Sequence, residues 1–597
     1  MTVPDPKDFI RSHCDAITDI EDIYTRDKAS TEQLEIYEKW IQCLLESNVK
    51  SYDEIKKTMH KLRREYKISP RNSDLLSVIT KFKSHANYDI LRYLLISTKT
   101  RSQSGVVVIT VVTSPYPEVD GKVQSFSCQW NCYYCPNEPN QPRSYLHDEP
   151  AVIRANANNF DPILQFHDRA RALSNKGHNV DKVELIVLGG TWESYPEEYR
   201  EYFCRDLFYA ANIFTGHEPL LRDKLSLSEE QVINETSECK IIGLTLETRP
   251  DTINYNSIKL LRYYGCTRVQ LGVQHTDNLI LKKINRKCTT SQVKEALRLL
   301  KDSCYKVDIH LMPNLPGSSP EKDMAMFDNV LYNEDLQADQ WKIYPCEVVP
   351  WTIIKKWYDE GTYVPYDGNS LKIVLKYVKK KVHPWIRLNR VVRDIPSQYI
   401  YNDSVPNLRD DVLAELQAEG TPCKCIRCRE VGSSEHRKTH HDLSNFEVVI
   451  RNYRASGAEE YYISFENLKN DILAGFVRLR LPENYLFEHM EKSAFIRELH
   501  VYGEMLPVGV DDAKRIQHSG IGSQLLTIAE QYAIRKGYTN MVVIAGIGTR
   551  NYYRKRGYTC TDELGYLHKK LFDYNRTLLK LGILGLLLSL ICFVSII

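Results

Sequence analysis

No apolar stretch follows the first methionine. The chain opens MTVPDPKDFI, which predicts no secretory signal peptide and therefore a reducing compartment. An excess of one charge is lacking too, since 79 Lys and Arg face 77 Asp and Glu for a net of +2. There is no internal repeat and no low-complexity linker. With 43% hydrophobic and 26% charged residues, the composition excludes a disordered chain. At 597 residues a single ordinary core is excluded as well, and two to four domains are expected.

The balanced charge hides an asymmetry. Residues 1–49 carry eleven acidic against five basic side chains, a net of −6, whereas residues 50–83 carry ten basic against four acidic, a net of +6. Residues 1–85 are expected to be helical and basic in their second half. The other end carries the one long apolar run, the 17 uncharged residues LGILGLLLSLICFVSII after Lys580. At 1.5 Å per residue they span roughly 25 Å, near the lower limit for crossing a bilayer. With Arg576 and Lys580 flanking them, they predict a C-terminal transmembrane helix over 574–597. That tail anchor would place the catalytic domains on the cytoplasmic face of an intracellular membrane, the mitochondrial outer membrane or the endoplasmic reticulum. A greasy interface helix is the alternative.

Between these ends, KVELIVLGGTW (182–192), CKIIGLTLETRP (239–250), CTRVQLGVQ (266–274) and YKVDIHLMPNLPG (305–317) are short β-rich runs. Helical stretches such as SQVKEALRLLKDS separate them. Strand–helix alternation argues for an α/β fold with a parallel sheet, a barrel or part of one, with its site at the C-terminal strand ends. From about 440 the pattern changes to long antiparallel-looking strands, NFEVVIRNYR, YYISFEN, ILAGFVRLRL and FIRELHVYG, followed by a helix and another strand.

Two constellations carry chemistry. CQWNCYYCP places Cys128, Cys132 and Cys135 at C-x3-C-x2-C. Three close thiolates can hold three irons of a [4Fe–4S] cube and leave the fourth open. Zinc would need another ligand, and a dithiol redox site would need only CYYC. The spacing resembles that of the radical S-adenosylmethionine enzymes. Their turns correspond to Gly189, Gly190 and Thr191, and to the GVQ ending at Gln274, although glycines alone are often ordinary tight turns. The second constellation is QHSGIG (517–522), at the start of the run SQLLTIAEQYAIRKG. A helix N-terminus with glycines suits a pyrophosphate. Gln517, Gly520, Ile521 and Gly522, with the preceding strand residues Glu498, Leu499, His500 and Val501, resemble the acetyl-CoA site of the N-acetyltransferase (GNAT) superfamily. Tyr552 and Tyr553 line the thioester or merely pack.

Together the motifs resemble the Elongator complex protein 3 family, the catalytic subunit of Elongator, over about residues 85–570. ETRPD, YGCTRVQLGVQ, HLMPNLPG, RELHVYG, QHSGIG and GTRNYYRKRGY carry the likeness. The gap between the first two cluster cysteines is shorter than is common in eukaryotic members. The resemblance implies a radical SAM partial (β/α) barrel over 86–400, a cysteine-containing linker over 401–440 and a GNAT domain over 441–573. It also implies modification of the transfer RNA wobble uridine. A 5′-deoxyadenosyl radical, made from S-adenosylmethionine at the cluster on Cys128, Cys132 and Cys135, would activate the methyl of acetyl-CoA. The resulting carbon radical would add to C5 of uridine 34, and thioester hydrolysis would leave a carboxymethyl group. Lys182 and Lys306 are candidates for the radical site, against ordinary solvated or salt-bridged lysines. Acetylation of protein or histone lysines by the GNAT domain alone is the alternative.

A further group, Cys423, Cys425 and Cys428, has a pattern that binds zinc in some family members. His436, His440 and His441 are candidates for the fourth ligand. The transfer RNA anticodon loop is the expected partner, with phosphates on the basic segments 56–71 and 376–394 and with Trp385 and tyrosines stacking on bases. Other Elongator subunits are further possible partners.

Overall fold

The computed structural model describes residues 17, 19–25, 29–96, 105–216, 218–403, 407–432, 443–503, 520–560 and 562–571. Its centre is a seven-stranded parallel sheet of β1 (Val107–Val112), β4 (Lys182–Leu188), β5 (Lys240–Thr248), β6 (Cys266–Gln274), β7 (Lys306–Leu311), β8 (Gln340–Ile343) and β9 (Arg387–Val391). The strands lie side by side in that order, each parallel to the next. A small hairpin, β2 (Glu118–Val119) and β3 (Lys122–Val123), follows β1. Parallel neighbours require crossovers, and the helices Glu197–Ile213, Tyr255–Tyr263, Thr290–Asp302, Pro320–Tyr332 and Gly368–Lys381 supply them. Among the described residues β1 and β9 do not pair, so the barrel is open. Every residue of β6 is buried, as expected of a strand covered on both faces.

A second seven-stranded sheet has the order β10-β11-β12-β13-β14-β16-β15. β10 (Glu447–Ala455), β11 (Ala458–Asn467), β12 (Ile472–Leu481) and β13 (Ser493–Val501) form an antiparallel meander. The helix Ile521–Arg535 then leads to β14 (Asn540–Val543), parallel to β13. β15 (Thr559–Cys560) and β16 (Leu567–Lys570) complete the sheet. That helix buries Ile521, Leu525, Leu526, Ala529 and Ala533 against Val477, Leu479 and Ile496, an apolar face at helical spacing. Ahead of the barrel, the helices Thr31–Glu46, Tyr52–Tyr66, Asn72–Ile79 and Tyr88–Leu95 share a core around Trp40, Leu44, Leu75 and Leu95.

The second sheet docks at the N-terminal ends of the barrel strands through a buried ionic network. The Arg497 guanidinium donates to Asp339 at 2.5 and 2.7 Å, to Glu460 at 2.7 Å and to the Tyr305 carbonyl at 2.8 Å. Arg480 reaches Asp302 at 2.5 Å and Glu460 at 3.0 Å. Fully enclosed charges are tolerated only when paired this completely, because losing one partner leaves a charge buried at a cost of about 3–5 kcal/mol.

One expectation is corrected. No helix among the described residues is long and apolar enough to cross a membrane, and the segment 574–597, on which the transmembrane helix was expected, lies outside them. The tail anchor, the membrane as partner and the membrane location are withdrawn.

Candidate active site

The cysteine loop crosses the C-terminal ends of the barrel strands. It is tied down by the Tyr133 N–H donating to the Ile284 carbonyl at 3.0 Å. The Asn285 amide also donates to the Trp130 and Asn131 carbonyls at 3.0 Å each. Cys132 is buried, whereas Cys128 and Cys135 are partly exposed. Arg249, just after β5, and Arg286, after β6, each donate to the Cys132 sulfur at 3.5 Å. Burial alone would raise this thiol, but the Arg286 and Arg249 charges outweigh it and hold it below the usual thiol range. Arg249 is itself fixed by Asp251 at 2.9 Å and by the face of Trp130 at 4.3 Å.

Three metal-ligating side chains converge to within 4.8 Å at two places among the described residues, and neither is this loop. Zinc bonded to sulfur at 2.3 Å would bring the sulfurs to about 3.8 Å of one another. A cube takes each cysteine on a different iron, so the wider set, with two cations beside its buried member, fits an anionic cluster better than zinc.

The glycine turn follows β4 beside this loop. A side chain on Gly189 would collide with Thr113, and one on Gly190 with the ring of Phe126. The turn thus lets Thr191 come within 3.9 Å of the Cys128 sulfur. Gln274 ends β6 in the left-handed region at φ 71°, strained for a residue with a side chain. Its side-chain Oε1 is buried without a hydrogen-bond partner. An orphaned acceptor at the mouth of a cavity suits a polar ligand.

That cavity, about 830 Å³, runs through the barrel. Tyr134, Pro136 and Gln274 line it at the cysteine end; Glu498, Leu499, His500, Tyr502 and Tyr553 line it at the other. Its walls are the inward residues of the strands, Glu184, Glu247, Arg268, Gln270, His310 and Lys342 among them. Lys306 also lines it and pairs with Glu498 at 3.5 Å, while Arg478 donates to the other Glu498 oxygen at 2.9 Å. Burial opposes ionisation of Glu498, yet Lys306, Arg478 and His500 outweigh it and bring the pKa to about 2. Glu347, whose Oε2 is buried without a partner, goes the other way. Burial raises its pKa to about 7, against a hydrogen bond from Asn402. His310 stays neutral, because burial and then Lys342, Arg393 and Arg286 all disfavour its charge.

The far end is built by β13 and β14. They pair only from Ser493–Asn540 to Ile496–Val543, and β13 continues to Val501 without β14. Into this gap points the N-terminus of the helix Ile521–Arg535, capped by Gly520. A Cβ on Gly522 would meet the Tyr552 hydroxyl at 2.8 Å, so the glycine admits Tyr552 to the first turn. Arg556 stacks on Tyr552 at 3.6 Å and donates to Ser523 Oγ at 2.6 Å. A guanidinium beside unpaired helical N–H groups fits a pyrophosphate. Gln517 lies outside the described residues.

Lys182 is half-buried at the first position of β4, on the same face as Glu184 but not in the cavity lining. The Trp385 ring is stacked between His383 at 4.4 Å and Tyr453 at 4.7 Å. Both its faces are taken, which removes it as a base-stacking candidate. Cys423, Cys425 and Cys428 bring their sulfurs within 4.8 Å of one another. Hydrogen bonds from Cys423 and Cys428 hold the Cys425 thiol well below its usual range. His436, His440 and His441 lie outside the described residues.

Sequence reasoning did not single out Arg249, Arg286, Arg556 or Glu347. Arg249 stands in the ETRPD run, the one signal that pointed near it. Arg556 likewise stands in the GTRNYYRKRGY run, whereas Arg286 and Glu347 become neighbours of the site only through folding.

A [4Fe–4S]-type cysteine loop on an open parallel barrel, joined to a glycine-capped helix on a splayed mixed sheet, defines a two-module radical S-adenosylmethionine and acetyltransferase enzyme. The family models agree: the Radical SAM superfamily matches residues 125–328, the Radical_SAM C-terminal domain 338–418 and the Acetyltransferase (GNAT) family 426–558. The tRNA uridine(34) acetyltransferase of Methanocaldococcus infernus is 37% identical over 87% of this chain and 98% of its own length. The Elongator complex protein 3 of Drosophila melanogaster is 36% identical over 82% and 86%. The solved archaeal Methanocaldococcus infernus Elp3 with an N-terminal deletion is 36% identical, covers 78% of this chain and 99% of that one, and superposes with a TM-score of 0.67. The chain belongs to the Elongator complex protein 3 family of tRNA uridine(34) acetyltransferases.

Proposed function

We propose that this enzyme modifies uridine 34 of transfer RNA, building a carboxymethyl group at C5 from the acetyl group of acetyl-CoA. The observation that carries the reading is the single cavity with the cysteine loop at one end and the acetyl-CoA gap at the other. Acetylation of a protein lysine would use the helix terminus alone and leave the barrel cavity without a role.

Cys128, Cys132 and Cys135 would hold a [4Fe–4S] cluster, which would supply the electron for reductive cleavage of S-adenosylmethionine. The protein's own part is placement. Arg286 and Arg249 favour the thiolate form of Cys132. Thr191 and Gln274 offer polar contacts to S-adenosylmethionine. Gly520, Ile521 and Gly522, with Arg556, hold the acetyl-CoA phosphates by helix N–H groups and one cation. Tyr552 and Tyr553 flank the acetyl end, and Lys306, paired with Glu498, stands where the two modules meet. Cys423, Cys425 and Cys428 hold zinc, their sulfurs close enough for one tetrahedral ion.

Arg154, Arg169, Arg390 and Arg409 line the same cavity and suit the phosphates of an anticodon loop. The helix Tyr52–Tyr66, basic in its last turn, offers further cations for phosphates. Other Elongator subunits are the expected protein partners.

The test is mass analysis of transfer RNA nucleosides after incubation with S-adenosylmethionine and acetyl-CoA under reducing, oxygen-free conditions. Carboxymethyluridine is expected from the parent and not from Cys132→Ala. Equal product from both would sink the proposal.

A further inference from the structure

Far from the cysteines, two histidines and a carboxylate face one another at the edge of the second sheet. His489 stands in the short turn before β13, His568 on β16, and Asp562 in the loop between β15 and β16. Both imidazoles aim Nε2 at the same oxygen of Asp562, Oδ2, at 3.7 Å for His489 and 2.6 Å for His568. All three donor atoms lie within 4.8 Å of one another. Zinc bonded to nitrogen and oxygen at 2.0–2.2 Å in a tetrahedron sets its donors about 3.3 Å apart. That value falls between the two histidine–aspartate separations.

The surroundings already hold the three donors in place. The second oxygen of Asp562 accepts the Tyr566 N–H at 3.2 Å, the kind of outer hydrogen bond that orients a ligating carboxylate. Phe487 stacks on the His489 ring at 5.5 Å and 12°. Both strands of chain are anchored to the barrel: Phe487 belongs to the barrel core, Tyr566 donates to the Ser303 carbonyl at 2.9 Å, and Arg262 donates to the Gly565 carbonyl at 3.0 Å. The side chains of Asp562 and His568 are 7% and 13% exposed and that of His489 is 33%, so the remaining coordination position faces water.

We propose that His489, Asp562 and His568 form a divalent transition-metal site, occupied by zinc, that clamps the turn before β13 to β16 at the seam between the two modules. Two imidazoles and one carboxylate form a borderline donor set, which favours zinc over calcium or magnesium.

The experiment uses the full chain dialysed against Zn2+ and freed of unbound metal, with metal per chain measured by mass spectrometry. The parent is expected to hold one equivalent more than His568→Ala, and likewise more than His489→Gln, a change at a one-third-exposed side chain that the fold tolerates. Cys425→Ser is expected to keep that equivalent. Co2+ bound by Cys425→Ser in a histidine-dependent way is expected to add no sulfur-to-metal charge-transfer band of the kind that marks thiolate sites. Equal zinc in the parent and both histidine variants would overturn the proposal, as would a Cys425→Ser chain whose remaining zinc is not lowered by adding His568→Ala.

Discussion

The Lys306 ammonium, on the first residue of a barrel strand, lies 3.5 Å from the Glu498 carboxylate of the second sheet. Two residues 192 positions apart in the chain thus form a contact at the junction of the two halves of the cavity. Lys306→Met leaves Glu498 to Arg478 and His500. Stability should fall by about 2 kcal/mol, less than for a fully enclosed pair because Lys306 keeps some solvent. Product yield should fall with it. Chemical denaturation and nucleoside analysis check both, and unchanged values would make the pair incidental.

Arg286 touches the Cys132 sulfur without being a cysteine. Arg286→Met removes one of two cations that lower the Cys132 thiol, and a lost outer-shell partner typically costs 10–100-fold in metal affinity or activity. Iron per chain and product yield should drop together in that range. Full iron content with full activity would refute the role.

Gly522→Ala sets two effects against each other. Alanine favours the helix by about 0.5–1 kcal/mol, but its Cβ meets the Tyr552 hydroxyl at 2.8 Å, and overpacking costs about 1–3 kcal/mol. The clash should win, weakening acetyl-CoA binding about 10-fold by calorimetry. Adding Tyr552→Phe removes the obstructing oxygen and should restore part of the loss.

Glu347 gives a pH dependence in an accessible window. Burial raises its carboxyl from 4.5 to about 7, so between those values the folded chain keeps a proton that the unfolded chain has released. Stability from this group is full below pH 4.5 and declines as pH rises toward 7. The loss is at most about 3 kcal/mol at 1.36 kcal/mol per unit. Glu347→Gln should therefore melt higher than the parent at pH 8 and differ little at pH 5. A parent advantage at pH 8 would contradict the assignment.

Both modules were legible because their signals are local. A cluster loop needs its thiols within a few residues, a pyrophosphate site needs glycines at one helix start, and a parallel sheet repeats its strand–helix pattern along the chain. The apolar tail shows the limit of such reading. Hydropathy measures what a run avoids, and 17 residues without charge do not by themselves make a span. Trp385 shows the same limit for aromatics, since an exposed stacking platform and a ring already enclosed by His383 and Tyr453 look alike in sequence.

By itself the sequence determined the two modules and their order along the chain. Only the tertiary structure decided that they share one cavity. Arg249, Arg286, Lys306 and Glu498 come from different strands and loops, and no spacing rule links them. Arg249 and Arg286 act on Cys132, and Lys306 on Glu498, because folding places each set a few ångströms apart in an interior poor in water, where pairing outweighs the cost of burial.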